Sequence, residues 1–178
     1  MGGPLGEETV EFEVGDKVVY PSQGVSVVET IAEEVLAGQP MRCYHLRLLS
    51  TQSKVMVPVD NSERVGLRPL AEGPEVLRAM KRLKGQDANQ EHDWKDRYRA
   101  NLDRIKTGDL DEIVDVLLCL AEVASRKTLS FRERKMYDHA RQLLVFEVAE
   151  VEGRDPDEVD REIEGVLRQR ENEGFGDA

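Results

Sequence analysis

A two-domain α+β chain, with a small β-barrel followed by a compact all-α domain, is what this sequence predicts, and three observations carry the prediction. Apolar residues alternate with polar ones at a period of two as far as Val59. After Arg68-Pro69 the period lengthens to that of helices. Between the two regimes, Leu70-Ala-Glu-Gly-Pro74 has the composition of a linker. The resulting division is a flexible N-terminus over 1–9, a β domain over 10–68, a linker over 69–74, a helical domain over 75–170 and an acidic tail over 171–178. The chain has 178 residues, 39% of them apolar, which is enough for one domain or two small ones.

The strands are read from alternation and breakers. Val10, Phe12 and Val14 alternate with Glu11 and Glu13, and Gly15-Asp16 turns the chain into Lys17-Val-Val-Tyr20. Pro21 and Gly24 mark the next turn, followed by Val25, Val27 and Thr30-Ile31, and Gly38-Gln39-Pro40 breaks the run again. Tyr44-His-Leu-Arg-Leu48 alternates, and Lys54-Val-Met-Val-Pro-Val59 is the last strand. Proline cannot donate to a ladder, so Pro58 marks an edge strand or a strand end. Short strands at this spacing predict an SH3-like or Tudor-like barrel, and an edge strand in it can accept a strand from a partner.

The helices are read from stripes and caps. Pro74 opens a helix over Glu75–Lys84 that Gly85 ends, and a second runs from about Glu91 to Lys106, with Tyr98, Leu102 and Ile105 as its apolar stripe. Asp109 caps a third, whose Leu110, Ile113, Val114, Leu117, Leu118 and Ala121 form a core stripe. Ser130-Phe-Arg-Glu133 has capping-box spacing and opens a helix to about Glu150. Asp155-Pro156 starts the last helix, with Val159, Ile163, Val166 and Leu167 inward, and the tail beyond Arg170 is expected to be disordered.

Charge and composition exclude several functions. The formal net charge is −11, which argues against indiscriminate coating of nucleic acid. The first ten residues lack the basic and apolar regions of a signal peptide, and no run is long enough for a membrane span, so a cytoplasmic chain is expected. Cys43 and Cys119 stand alone in apolar patterns and are expected reduced and buried. His45, His92 and His139 have no metal-ligand spacing, the Asp93/Asp96 pair lacks further ligands, and no phosphate-cradling glycine motif occurs. Neither a catalytic constellation nor a cofactor site is read.

The charge is uneven. Residues 1–67 carry −5, 68–141 carry +2 and 142–178 carry −8. The basic excess concentrates between Arg78 and Lys106, around the only tryptophan, in His92-Asp-Trp-Lys-Asp-Arg-Tyr-Arg99. Trp94 precedes Tyr98 by four residues, so spacing permits two positions for it. It extends the apolar stripe into the core, or it projects as an exposed wedge with Lys95, Arg97 and Arg99 holding phosphates around it.

Five motifs in order resemble one family. They are Val14-Gly-Asp-Lys-Val-Val-Tyr-Pro21 with Gly24; Val57-Pro-Val-Asp-Asn61 before Val65-Gly-Leu-Arg68; Trp94 with Arg97-Tyr-Arg99; Ile105-Lys-Thr-Gly-Asp109; and Leu129-Ser-Phe-Arg-Glu-Arg-Lys-Met136 with Ala140-Arg-Gln-Leu143. Over about residues 10–150 the chain is similar to the CarD/CdnL transcription regulators of bacteria. The resemblance implies a Tudor-like domain that docks on the RNA polymerase β subunit by strand addition, with Leu36, Met56 and Pro58 at the matching contact positions. It implies that the helical domain meets promoter DNA at the upstream edge of the bubble. There Trp94 enters the minor groove and Arg97, Arg99 and Arg134 contact the backbone, lengthening the life of the open complex. A monomer without enzymatic activity or cofactor is expected. Two positions depart from the family: Asp96 stands where a basic residue is common, and Glu34 where some members are basic. An acidic adaptor that binds polymerase or another partner without touching DNA is the alternative.

Overall fold

The computed structural model describes residues 11–85 and 97–173. The expectations for the first nine residues, the start of the second helix, His92, Asp93, Trp94, Lys95 and Asp96 lie outside the described residues, as does the side chain of Arg97.

Five strands form one antiparallel sheet in the order β4-β3-β2-β1-β5. They are β1 (Lys17–Tyr20), β2 (Gly24–Leu36), β3 (Gln39–Leu48), β4 (Lys54–Pro58) and β5 (Arg68–Pro69). The adjacent valines of β1 are buried on opposite faces of the sheet. Val18 joins Phe12, Val28, Tyr44, Leu46, Val57 and Leu67 in the core of the β domain. Val19 and Val25 instead face Leu110, Ile113 and Leu143 of the helical domain. Ala37 and Gly38 take φ of 51° and 75°, the positive pair that a two-residue mirror-image turn requires to join β2 to β3. β4 is an edge strand and Pro58 is its last residue, as the missing donor dictates.

The predicted first strand does not form over its described residues. The Glu13 amide donates to the Asp16 carboxylate (2.8 Å) and the Gly15 amide to the Val28 carbonyl (2.8 Å), which folds this stretch into a turn. Phe12 is anchored singly: its amide donates to the Tyr44 hydroxyl (3.0 Å) and its ring meets the Tyr44 ring edge-on. Val14 is exposed. β5 was not expected; it pairs Val18 and Val19 through Pro69 and Arg68 at the entrance to the linker.

The helices are α1 (Gly73–Leu83), α2 (Arg97–Thr107 in its described part), α3 (Leu110–Arg126), α4 (Phe131–Glu152) and α5 (Pro156–Glu173). Asp109 caps α3 by accepting from the Asp111 and Glu112 amides, and Ser130 with Glu133 closes the capping box of α4. All six stripe residues of α3 are buried, Tyr98, Leu102 and Ile105 of α2 pack onto the same core, and Cys43 and Cys119 are buried thiols. The last helix continues to Glu173, beyond the expected end at Arg170, because the Tyr137 hydroxyl donates to Glu171 (2.8 Å). Burial and that acidic neighbour push the Tyr137 phenol far above its usual range, so it stays a donor. Among the described residues, no helix is long and apolar enough to cross a membrane.

The two domains meet through polar contacts around a small apolar seam. Glu147 of α4, 3% exposed, receives both terminal nitrogens of Arg68 (2.7 and 2.9 Å) and the Ala71 amide (3.0 Å). Arg68 also donates to the Gly108 carbonyl from Nη2 (2.6 Å) and Nε (3.2 Å). The His139 ring donates from Nε2 to the Ser22 carbonyl (2.8 Å), and Lys17 pairs with Glu150. Gly108, at φ 70°, lies so close to Pro21 that a Cβ there would come within 3.0 Å of the ring.

Helix α5 is held by an ionic cluster. Arg154 donates to Glu152, Glu158 and Glu162, and Lys84, which follows the last residue of α1, reaches the same Glu162 (3.2 Å). The Arg154 hydrogen bond, opposed by burial and aided by Lys84, holds the Glu162 carboxyl below its usual 4.5. A depressed folded pKa contributes stability that is complete above the unfolded value and is lost as pH falls through the folded one. Denaturation midpoints from about pH 5 to about pH 3 are therefore expected to fall more steeply for the wild type than for Glu162→Gln. Equal slopes would show that the cluster contributes no pH-dependent stability.

Candidate functional site

The first exposed surface belongs to the sheet. Register puts Thr30, His45 and Met56 opposite one another on one face, with Ala32, Cys43 and Pro58 beside them and the pairs Glu34/Met41 and Leu36/Gln39 further along. Leu36, Met56 and Pro58, the three expected docking residues, therefore share a face. Met56 is 42% exposed, and Leu36 and Pro58 are half-buried. Met41, also exposed and on this face, is an apolar residue that sequence reading missed; its strand was expected to start only at Tyr44. Glu34 has a partner here, since its Oε1 lies 3.1 Å from His45 Nε2, within ion-pair distance although off the direction of a hydrogen bond. Beside this face, β4 offers an unpaired edge, because β3 is its only ladder partner among the described residues.

The second surface is formed by the N-terminal ends of α2 and α4. The Arg132 guanidinium lies 4.2 Å from the centre of the Tyr98 ring, which joins the two helix ends. Phe131, the first residue of α4, is 73% exposed, and the Lys135 ammonium lies 4.7 Å from its ring. Arg99 and Arg134 are both exposed. The helical period puts Phe131 and Lys135 at the middle of the exposed stripe of α4, with Arg132 on one flank and Arg134 on the other. Contact with α2 is thus made by Arg132, while Arg134 lies over the Tyr137 ring (5.6 Å). Phe131, Arg132 and Lys135 are the residues that sequence reading missed as a group. The signal was present as an aromatic inside Phe131-Arg-Glu-Arg-Lys135, just after a capping serine.

The pairing of cations separates this patch from the rest of the basic excess. Arg78 and Arg82 bind Asp111 and Asp115, Lys84 binds Glu162, and Arg104 binds Glu112. Burial lowers the Arg82 pKa, but the two aspartates outweigh it and raise it. Arg99, Arg132, Arg134 and Lys135 have no carboxylate within ion-pair distance among the described residues. Unneutralised cations with an exposed aromatic ring are the groups that hold phosphates and stack on bases.

Residues 12–71 match the family described as CarD-like/TRCF RID domain, and residues 78–164 match the one described as CarD, C-terminal domain. The chain is also 29% identical over 142 residues to the Bacillus subtilis (strain 168) protein named “Putative transcription factor YdeB”, a stretch covering 80% of this chain and 93% of that protein.

Phe131 and Arg134 are exposed, and Arg134 meets the core only as a cation over the Tyr137 ring, so little of either side chain is buried on folding. Phe131→Ser and Arg134→Ala are each expected to change stability by no more than about 0.5 kcal/mol in urea denaturation. A loss above about 2 kcal/mol would mark either residue as structural.

Proposed function

This chain belongs to the CarD family of transcription factors, which are not enzymes and whose RID domain implies an interaction with RNA polymerase, and from that premise we propose that it docks on the polymerase β subunit and stabilises the promoter open complex. Docking uses the face carrying Leu36, Met56 and Pro58, with the edge of β4 taking up a strand from the β subunit. The ends of α2 and α4 then meet DNA at the upstream edge of the bubble. Trp94, three residues before Arg97, wedges into the minor groove, while Lys95, Arg97, Arg99 and Arg134 contact phosphates. The observation that supports this reading most is the cluster of cations, without an ion-pair partner among the described residues, around Tyr98 and exposed Phe131 in a chain whose net charge is −11.

The energetics are consistent with a tethered wedge. Stacking of one aromatic ring contributes about 1–3 kcal/mol. That corresponds to a shift of roughly tenfold to a hundredfold in the closed–open balance at most. Polymerase-bound protein meets DNA at high effective concentration, so weak intrinsic affinity suffices. The negative charge elsewhere then discourages binding to DNA that carries no polymerase. The net acidity also favours a second reading, an adaptor that binds polymerase without DNA contact.

Two experiments test the reading. The lifetime of a polymerase–promoter open complex is expected to increase with the wild-type protein, and most of that gain, up to about tenfold, to vanish with folded Trp94→Ala. Wild-type protein that binds polymerase yet leaves the lifetime unchanged would favour the adaptor. Met56→Glu is expected to weaken polymerase binding about tenfold or more, with thermal unfolding unchanged. Unaltered affinity would remove the β4 face from the docking surface.

A further inference from the structure

Both helices that carry the basic and aromatic cluster are tied to the sheet at their far ends, and one pair of side chains is common to both ties, with Lys17–Glu150 added on α4 alone. The α2 end is held through the carbonyl of Gly108, the residue after its last turn, which accepts from Arg68 Nη2 (2.6 Å) and Nε (3.2 Å). The α4 tie is Glu147 itself, whose carboxylate receives Nη1 and Nη2 of the same guanidinium. Arg68 belongs to β5, which pairs with β1 in the sheet, and the Ala71 amide ties the linker to Glu147 as well. One residue of the sheet thus fixes two levers. From Arg97 to Thr107, α2 is about 15 Å long, and from Phe131 to Glu147 α4 runs about 24 Å. The other ends of both meet in the Arg132–Tyr98 contact.

Resting on the proposed polymerase and DNA reading, we infer that Arg68 and Glu147 are positioning residues, which set where the cluster stands relative to the docked sheet and touch neither polymerase nor DNA. A tilt of about 10° at the junction moves the far ends of these levers by about 3–4 Å. One base step is about 3.4 Å. A loosened junction therefore displaces the cluster by about one step of DNA. It leaves polymerase docking intact, since docking uses residues on β2 and β4. The gain from tethering is lost when the geometry no longer lets both surfaces engage at once.

The test uses full-length Glu147→Gln and Arg68→Lys with three readouts: affinity for polymerase, open-complex lifetime at saturating protein, and the distance distribution between spin labels on Ser50→Cys and Arg161→Cys. These two sites are exposed and lie one on each domain, while Cys43 and Cys119 are buried. Expected are polymerase affinity within about twofold of wild type, a lifetime gain reduced about fivefold or more, and a broadened distance distribution. The inference is overturned if the lifetime gain survives, if affinity falls in step with it, or if the gain falls while the distances stay as narrow as in wild type. Unfolding of both variants would mark the pair as merely structural and overturn it as well. Should wild-type protein itself give no lifetime gain, the proposed function fails first, and this inference falls with it.

Discussion

A buried carboxylate at the domain junction is the constraint on which the rest of the structure depends. Removing Glu147 from water carries a desolvation cost of several kcal/mol, and only hydrogen bonds of good geometry offset it. Here all of them come from elsewhere in the chain: two from Arg68 and one from Ala71. No part of the set is supplied by α4 alone, so burial of Glu147 and docking of the domains occur together. The apolar side of the same junction is thin. Val19 and Val25 meet Leu110, Ile113 and Leu143 there, and Gly24 and Gly108 permit backbone approach where any Cβ would crowd Leu143 or Pro21. An apolar seam of that size specifies no single orientation, because dispersion and burial are non-directional. A bidentate guanidinium–carboxylate pair does, through its planar geometry.

The same distinction between paired and unpaired charge explains the middle of the chain. Arg78 and Arg82 of α1, Lys84 at its end and Arg104 of α2 are spent inside the helical domain against the acids of α3 and α5. Their effect is to orient α1 and α5 about α3. Arg99, Arg132, Arg134 and Lys135 have no such acid within ion-pair distance among the described residues. A sequence window averages the two kinds together. The local excess between Arg78 and Lys106 therefore overstates the charge available on α1 and omits the contribution of α4, which lies outside the window.

What was legible in the sequence was what local chemistry determines. Asp109 and Ser130 declare helix starts because their side chains satisfy amides two or three residues away, and Pro58 declares a strand end because it lacks a donor. Adjacent Val18 and Val19 are a sign of burial on both faces, which is how β1 is used. The errors lie where a distant residue decides. Phe12 alternates like a strand, but its amide goes to Tyr44, thirty-two residues on. β5 is too short for any period to announce, and it exists because Arg68 must reach Glu147, seventy-nine residues away. The Tyr98–Arg132 contact is of the same kind: Phe131-Arg-Glu-Arg-Lys135 shows an aromatic among cations, but not that it joins α2.

On the proposed reading these two levels of organisation divide the work. The groups assigned to DNA are cations and aromatic rings that bind phosphate and stack on any base, and none is assigned the bidentate guanine-edge contact by which an arginine reads sequence. Sequence preference therefore has to come from polymerase, which selects the promoter and fixes where the bubble begins. The regulator then needs accuracy of placement more than affinity: its contacts help only if they fall at the junction of single and double strands. Placement is a property of the whole chain between the β4 face and the α2–α4 ends, and stiffness is needed at its weakest joint. That joint is the domain junction, and it is where the structure places a part-buried ion pair.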